Sequence, residues 1–304
     1  MTAPIAWMNG ELIPYAQAAV PVWDLGVVAG ASVSEMARTF AHKPFRLAQH
    51  LDRLQNAIRS LGFPEPYDRQ QILHGIQGVL AHNLSLIPDH RDLGIVIFST
   101  AGPNPTYLGS ELAKRTQATT AVHTFDLPLE TWRPQLRDGV RLRTTSVRQI
   151  PDDCFDVSLK VRNRLHWWLA DQEATQLEPG SKALLLDHAG FITETSTSAV
   201  HLVCHGRIIT SDSSVLNSLS SQLVEEFAGT LGIPFERRPI PFGEFRYASE
   251  AFLSSSAATL LPVSHVNGEQ VGKTIPGPVF SQMAAAWSEL VGIDIVQQVL
   301  GAQT

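Results

Sequence analysis

Lys160 is the third residue of the stretch SLKVRNRLHWWLADQEA, Ser158 to Ala174, whose apolar spacing predicts a helix with the lysine in its first turn. A lysine at a helix end is ordinarily a solvated charge. Its amine is also a nucleophile toward carbonyl carbon, able to hold a cofactor covalently. Glu194 lies in an alternating run downstream, Arg53 on a leucine-striped helix but off the stripe, and Ser256 in a serine-rich turn. Singly, these read as a solvent-facing strand carboxylate, a helix-surface cation and a turn hydroxyl. Together they offer an amine, a carboxylate, and donors suited to an anion.

Other chemistries have no motif to carry them. No G-x-G-x-x-G follows a strand, and there is no G-x-x-x-x-G-K-[ST] or H-E-x-x-H. The nearest approach to a nucleophile elbow, Gly30 to Ser34, has serine where the second glycine is required. Cys154 and Cys204 lack metal-ligand spacing and are too few to staple the chain, so they read as two structural thiols in a reducing compartment, with no metal site.

The elements that must position these residues are mixed α and β. Asn9 and Gly10 between two short apolar runs predict an opening β-hairpin. Leu47, Leu51, Leu54, Ile58 and Leu61 recur at helical spacing up to Gly62, predicting an amphipathic helix with a glycine at its end. DLGIVIFSTAG predicts a buried strand. Between Val122 and Leu136 lie two prolines and no period, so residues 123–135 are expected to connect a smaller N-terminal α/β domain, 1–122, to a larger domain, 136–304. Strands are expected around GVRLRTTSVRQI, with Arg148 on the strand leading to the lysine. Turn signals at His188 to Gly190 and His205 to Gly206 predict hairpins after it, and NSLSSQLVEEFAGTLG predicts a helix capped by Asn217 or Ser218 and ended by Gly232. A strand, a serine-rich turn, and an Asn267-Gly268 turn follow.

The chain's 304 residues, 44% of them hydrophobic, suffice for a sizeable core. The 23 basic and 29 acidic residues are well mixed and sum to a net charge of −6, which argues against nucleic acid as a partner. With no basic-then-apolar leader and no run of apolar residues long enough to span a bilayer, a soluble cytoplasmic protein is expected, without a membrane partner.

In order and spacing, these segments resemble the class IV pyridoxal-phosphate aminotransferases, the family of branched-chain and D-amino-acid aminotransferases and aminodeoxychorismate lyase. Lys160, Asn163 and Leu165 match its K-x-x-N-x-L pattern, and Ala170, Gln172, Glu173 and Ala174 its A-x-Q-E-A helix end. Gly190 and Glu194 match G-x-x-x-E, with Ala199 where asparagine is usual. HLDRL, His50 to Leu54, resembles the helix whose arginine, here Arg53, contacts the cofactor phosphate. FLSSSAATLLPV resembles the turn supplying a hydroxyl to phosphate and small residues beside the substrate, pointing to Ser256 and Ala257. VLNSLSS resembles L-x-G-I-T-R, with serines at 218, 220 and 221; Asp24 to Glu35 resembles D-R-G-x-x-x-G-D-G-V-x-E, with Ala31 in place of aspartate.

The resemblance implies fold type IV: two domains with pyridoxal 5'-phosphate at their interface and a barrel-like sheet in the larger one. It implies a homodimer, in which GPNPTYLGS, Gly102 to Ser110, is the loop expected to reach across or act as a lid. Lys160 would hold the cofactor as a Schiff base and, once released, carry the proton. Glu194 would pair with the ring nitrogen, and Leu219 and Ser220 would give main-chain N–H groups to the phosphate at a helix start, with Arg53 adding charge. Arg164 falls near the cofactor hydroxyl, where the branched-chain enzymes have tyrosine and the lyase reads NRL. Arg38 falls where the branched-chain branch has an arginine, implying a carboxylate-bearing substrate; Ser34, Ala257 and Arg148 complete the substrate candidates. The reaction expected is exchange of an amino group between an amino acid, branched-chain or otherwise apolar, L or D, and a 2-oxo acid. Two alternatives stay open: a lyase eliminating pyruvate from an aldimine of the same kind, and a binding protein of this fold without turnover, prompted by Ala31, Ser34, Ala199 and Ser221.

Overall fold

Asn9 and Gly10 both adopt positive φ, and the turn they make pairs β1 (Ile5–Met8) with β2 (Glu11–Pro14) as expected. The computed structural model describes residues 3–301. Contacts divide the chain into two compact units, Met1–Leu127 with Leu159–Asn163, and Pro128–Ser158 with Arg164–Thr304.

In the first unit, the single turn α1 (Leu25–Val28) precedes β3 (Ser32–Phe40) and β4 (Lys43–Pro44). Then come α2 (Leu47–Ser60), α3 (Arg69–Asn83) and the buried strand β5 (Leu93–Thr100). Two further turns, α4 (Pro105–Leu108) and α5 (Ser110–Ala113), lead to β6 (Thr120–Asp126). The six strands form an antiparallel sheet in the order β2-β1-β6-β5-β3-β4. Val33, Ala37, Ile95 and Ile97 of the sheet meet Leu51, Leu54 and Ile58 of α2 and Ile72, Ile76 and Val79 of α3 in one buried core. Leu51, Leu54 and Ile58 of the stripe read from the sequence lie on the face that α2 buries, with Leu47 partly buried, whereas Leu61, at the C-cap, is exposed; Gly62 (φ +65°) follows it. The segment Gly102 to Ser110 is not bare loop: Asn104 caps the turn of α4, with Pro105 at its first position.

The second unit opens with α6 (Leu129–Asp138) and β7 (Val140–Thr144). Residues 123–135, expected as an irregular connection, are therefore the end of β6 and most of α6, with only Leu127 and Pro128 between. The helical period there was concealed by Pro134, which the helix carries in its interior while burying Leu129, Trp132 and Leu136. After α7 (Leu165–Leu177) come β8 (Lys182–Leu186), β9 (Phe191–Thr195), β10 (Ala199–Cys204) and β11 (Arg207–Thr210). Next are α8 (Leu219–Leu231), β12 (Phe235–Arg237), β13 (Ile240–Pro241), β14 (Glu250–Ser255), β15 (Thr259–Val266) and β16 (Glu269–Gln270). The chain closes with α9 (Pro278–Val291) and α10 (Ile295–Leu300).

Strands β10, β14, β15, β7, β8 and β9 follow one another by hydrogen bonding, and Ala199 of β10 pairs back to Glu194 of β9, closing a barrel. Leu142, Leu184, Leu202 and Phe252 are buried within this unit. Ser218 is the N-cap of α8 and Gly232 its left-handed C-cap, matching the signals in the sequence. Cys204 is buried, whereas Cys154 is exposed and so does not read as a structural thiol.

Candidate active site

Around Lys160 the chain runs beside the start of β3. Val161 bridges Val33, Ser34 N–H donates to the Lys160 carbonyl (3.0 Å), and Arg162 N–H donates to the Ser32 carbonyl (2.9 Å). Lys160 is thus on an extended segment, not in a helical first turn; α7 begins only at Leu165. The periodicity extended too far upstream because Leu159 and Val161 are apolar for another reason: they pack on the core of the first unit. A helix through them would forfeit both the packing and the bonds to β3. Gly30 (φ +65°) lies against Asn163, where an added Cβ would stand 3.3 Å from the asparagine Cβ. The lysine backbone is pinned on both sides of a partly buried side chain.

On β3, Glu35 is 1% exposed and is gripped from α2. Arg53 donates Nε and Nη2 to its two oxygens at 2.7 Å each, and His50 Nδ1 lies 2.7 Å from Oε2. Burial pushes the Glu35 carboxyl up, but the bonds from His50 and Arg53 outweigh it and bring the pKa down to about 2. Burial lowers the His50 pKa against the pull of Glu35, so the ring is neutral and Nδ1–H donates to the carboxylate. Lys160 is among the charges that lower His50, which places the lysine within electrostatic reach of the cluster. Sequence reasoning picked out Arg53 but not its partners; the signal was a histidine three residues before it on the same helix face.

Ser34 is 3% exposed and tied to Lys160 through the backbone. Arg38, on the same strand, is 2% exposed, donates Nε to the Thr39 carbonyl (3.1 Å), and lies 4.1 Å from the Phe40 ring centroid. Burial lowers its pKa to about 10, with Asp92 opposing. It stands roughly 13 Å along β3 from Ser34, and the structure does not bring the two backbone positions together.

In the second unit, Glu194 Oε1 accepts from Leu216 N–H (3.2 Å) and Gln149 Nε2 (3.4 Å). Gln149, 3% exposed, also donates to the Ser214 carbonyl (3.1 Å); nothing in its sequence context marked it. Arg164, at the N-cap position of α7, donates Nη2 to the Ser196 carbonyl. Burial lowers its pKa, while Glu194 and Asp171 raise it, so it lies in the field of Glu194. Arg148 is exposed in the loop after β7, not on a strand. The chain leaves β7 after Thr144, and Gln149 N–H donates to the Leu186 carbonyl outside any ladder.

Leu219 and Ser220 are the first residues of α8, so their N–H groups have no acceptor within the helix. Ser221 N–H donates to the capping Ser218 hydroxyl (3.2 Å). The Ser221 hydroxyl is buried and has no hydrogen-bond partner among the described residues; Ser221 lines a small recess with Glu194, Leu216 and Ser218. Ser256 is partly buried in the turn between β14 and β15, next to buried Ala257. These donors at a helix start, one of them an unsatisfied buried hydroxyl, fit the phosphate of pyridoxal phosphate. The carboxylate beside them, Glu194, fits a protonated ring nitrogen. Among the described residues no cluster could hold a metal ion.

Residues 32–266 match the family model described as amino-transferase class IV. The chain belongs to the class IV aminotransferases. Lys160, Glu194, Leu219, Ser220 and Ser256 of this class IV chain all fall inside the matched span. It is 28% identical to branched-chain-amino-acid aminotransferase-like protein 2 of Arabidopsis thaliana over 94% of its own length, and spans about half of that relative, 50%. It is 24% identical to the D-alanine aminotransferase of Bacillus licheniformis, covering 91% of this chain and 94% of that one. The T.th. branched-chain amino acid aminotransferase, solved with pyridoxamine 5'-phosphate, superposes with a TM-score of 0.83 at 27% identity, covering 95% of this chain and 94% of that one. No helix among the described residues is long and apolar enough to cross a membrane.

Proposed function

We propose that this chain is a pyridoxal-phosphate-dependent aminotransferase, exchanging an amino group between an amino acid and a 2-oxo acid, and that it works as a cytoplasmic homodimer. The observation that carries this reading is the backbone of Lys160, held on β3 by Ser34 and Arg162. A lysine that must present one atom to a reacting carbon needs a fixed Cα, and this segment supplies it. The cofactor, when bound, supplies an electron-accepting ring.

The protein's part is then to bind, to orient, and to move one proton. Lys160 Nζ would hold the cofactor through its aldehyde carbon, and the same amine, when free, would carry the proton at the substrate Cα. Glu194, its Oε1 already braced by Leu216 N–H and Gln149, keeps a proton on the ring nitrogen. The N–H groups of Leu219 and Ser220 and the hydroxyl of Ser256 bind the phosphate. Arg53 holds Glu35 on β3, the strand to which the lysine segment is bonded. The donor is an apolar amino acid, branched-chain or D-configured, which the likeness to a branched-chain-like relative and a D-alanine aminotransferase supports.

The test is an absorbance spectrum of the protein with pyridoxal phosphate, titrated with L- and D-amino acids, for wild type and Lys160→Ala. The expected result is a visible band that converts with particular donors and is missing from the variant. A band of equal intensity in Lys160→Ala would sink the assignment of the lysine. Arg164 in the field of Glu194 favours one second reading, a lyase of the aminodeoxychorismate type; turnover that continues without added 2-oxo acid would select it.

A further inference from the structure

Four polar side chains of the second unit line up in series behind the start of α8. His201 on β10 is fully buried, stacked on Phe252 with ring centroids 5.0 Å apart, and its Nε2 lies 2.9 Å from Ser254 Oγ on β14. Ser254 Oγ donates to Ser220 Oγ (3.3 Å), and Ser220 Oγ lies 2.9 Å from Ser218 Oγ. Ser218 Oγ accepts the Ser221 N–H.

The protons in this series can be assigned by counting them. Ser254 has one hydroxyl proton and gives it to Ser220, so toward His201 it must accept, and His201 must carry its proton on Nε2. A neutral ring has only one N–H, which leaves Nδ1 as a bare lone pair, and Nδ1 is indeed buried without a partner among the described residues. Ser220, already accepting from Ser254, has its own proton free for Ser218, and of the two directions this contact allows, donation by Ser220 is the one that continues the series. Ser218 then accepts twice, from Ser220 O–H and Ser221 N–H, and its own proton is left to donate outward at the helix start. Burial keeps the ring neutral, with a pKa of about 3 that Arg237 also lowers, so the direction of the relay holds throughout the ordinary pH range.

We propose that His201 is a positioning residue, whose Nε2–H tautomer orients a one-way hydroxyl relay through Ser254 and Ser220 and so turns Ser218 O–H into a donor for the cofactor phosphate. This rests on the phosphate role proposed above for the start of α8. Each link polarises the next, so the terminal hydroxyl is a better donor to an anion than an isolated serine. Ser218 stands where the family pattern has glycine, which has no hydroxyl to offer, so the relay adds a contact to the main-chain donors. The Ser221 hydroxyl, buried without a partner among the described residues and lining the same small recess as Ser218, is a further unsatisfied polar group at this helix start.

The experiment compares pyridoxal phosphate with pyridoxal, which lacks the phosphate, in equilibrium binding to the apoprotein, with inorganic phosphate as competitor. The variants are His201→Phe, His201→Gln, Ser254→Ala and Ser218→Ala. Phenylalanine preserves the stack on Phe252 but cannot donate, whereas the glutamine amide can replace Nε2–H. Loss of one charge-assisted bond is expected to weaken pyridoxal phosphate about tenfold in His201→Phe, Ser254→Ala and Ser218→Ala. Inorganic phosphate should weaken in parallel, pyridoxal should be unaffected, and His201→Gln should recover most of the loss. Equal weakening of pyridoxal and its phosphate would make His201 merely structural and overturn the proposal, as would an unchanged ratio in His201→Phe. If that variant does not fold, Ser254→Ala decides by the same ratio. Failure of the wild type to bind pyridoxal phosphate at all would instead overturn the function proposed above, and the relay with it.

Discussion

Glu35 shows how a residue with no visible role in the sequence organises its surroundings. Its carboxylate is almost wholly buried, which would be prohibitive without the bidentate Arg53 and the His50 N–H that hold it. The substitution Glu35→Gln removes the charge and takes this counter-ion from the largely buried Arg53. We expect it to cost about 3–5 kcal/mol in urea unfolding, with a lower midpoint at an unchanged slope. The same group predicts acid sensitivity. Its folded pKa, about 2, lies below the ordinary 4.5, so its contribution is complete above about pH 4.5 and disappears as the pH falls toward 2. That contribution is about 3 kcal/mol, from roughly 1.4 kcal/mol per pKa unit. Stability measured from pH 5 to 2 should fall more steeply for the wild type than for Glu35→Gln; parallel curves would refute the assignment. The sequence marked Arg53 as a cation worth attention, but the hand that holds it is visible only once β3 lies against α2.

At the scale of elements, caps divide into those written locally and those supplied from elsewhere. Asp68 and Gln71 make a reciprocal capping box on α3, four residues that can be read in order. The start of α9 has no side-chain cap of its own; instead Glu250 of β14 accepts from Val279 N–H (2.9 Å) and Phe280 N–H (3.0 Å). Glu250→Ala is expected to destabilise the protein by about 1–3 kcal/mol, since it leaves buried donors unpaired. Asp68→Ala, at an exposed helix end, should cost only about 1 kcal/mol. Comparable losses from the two substitutions in thermal unfolding would contradict this account. Gly277, whose added Cβ would fall 2.1 Å from Glu250 Cδ, keeps that approach open.

At the scale of the molecule, the consequential fact is that chain order and packing disagree. Residues Leu159–Asn163 lie far downstream of Leu127 yet belong to the first unit, where Leu159 and Val161 join its core and Val161 extends pairing onto β3. A fragment ending at Leu127 would lack this strip and leave Ser34 N–H and the Ser32 carbonyl without their partners. Such a fragment is expected to be less protected than the same region of the whole protein, with faster hydrogen exchange along β3 around Val33. Fusing residues 159–163 back through a flexible linker should restore protection. Identical exchange with and without the strip would show that the lysine segment is a passenger on the first unit.

Much of this was legible because it is local. The Asn9-Gly10 hairpin, the α2 stripe, and the Ser218 and Gly232 caps of α8 follow from turn chemistry, periodicity and helix-end hydrogen bonding over a few residues. The lysine, the glutamate and the serine turns were legible as an ordered set, which sufficed for the family. What the tertiary structure alone decided is long-range. It placed Lys160 on an extended strip because its carbonyl and its apolar neighbours are claimed by β3, more than a hundred residues earlier. It turned Arg38 inward and set Gln149 behind Glu194, and it joined His201 to the start of α8 through two hydroxyls. Burial and partnership depend on which elements meet, and no local pattern records that.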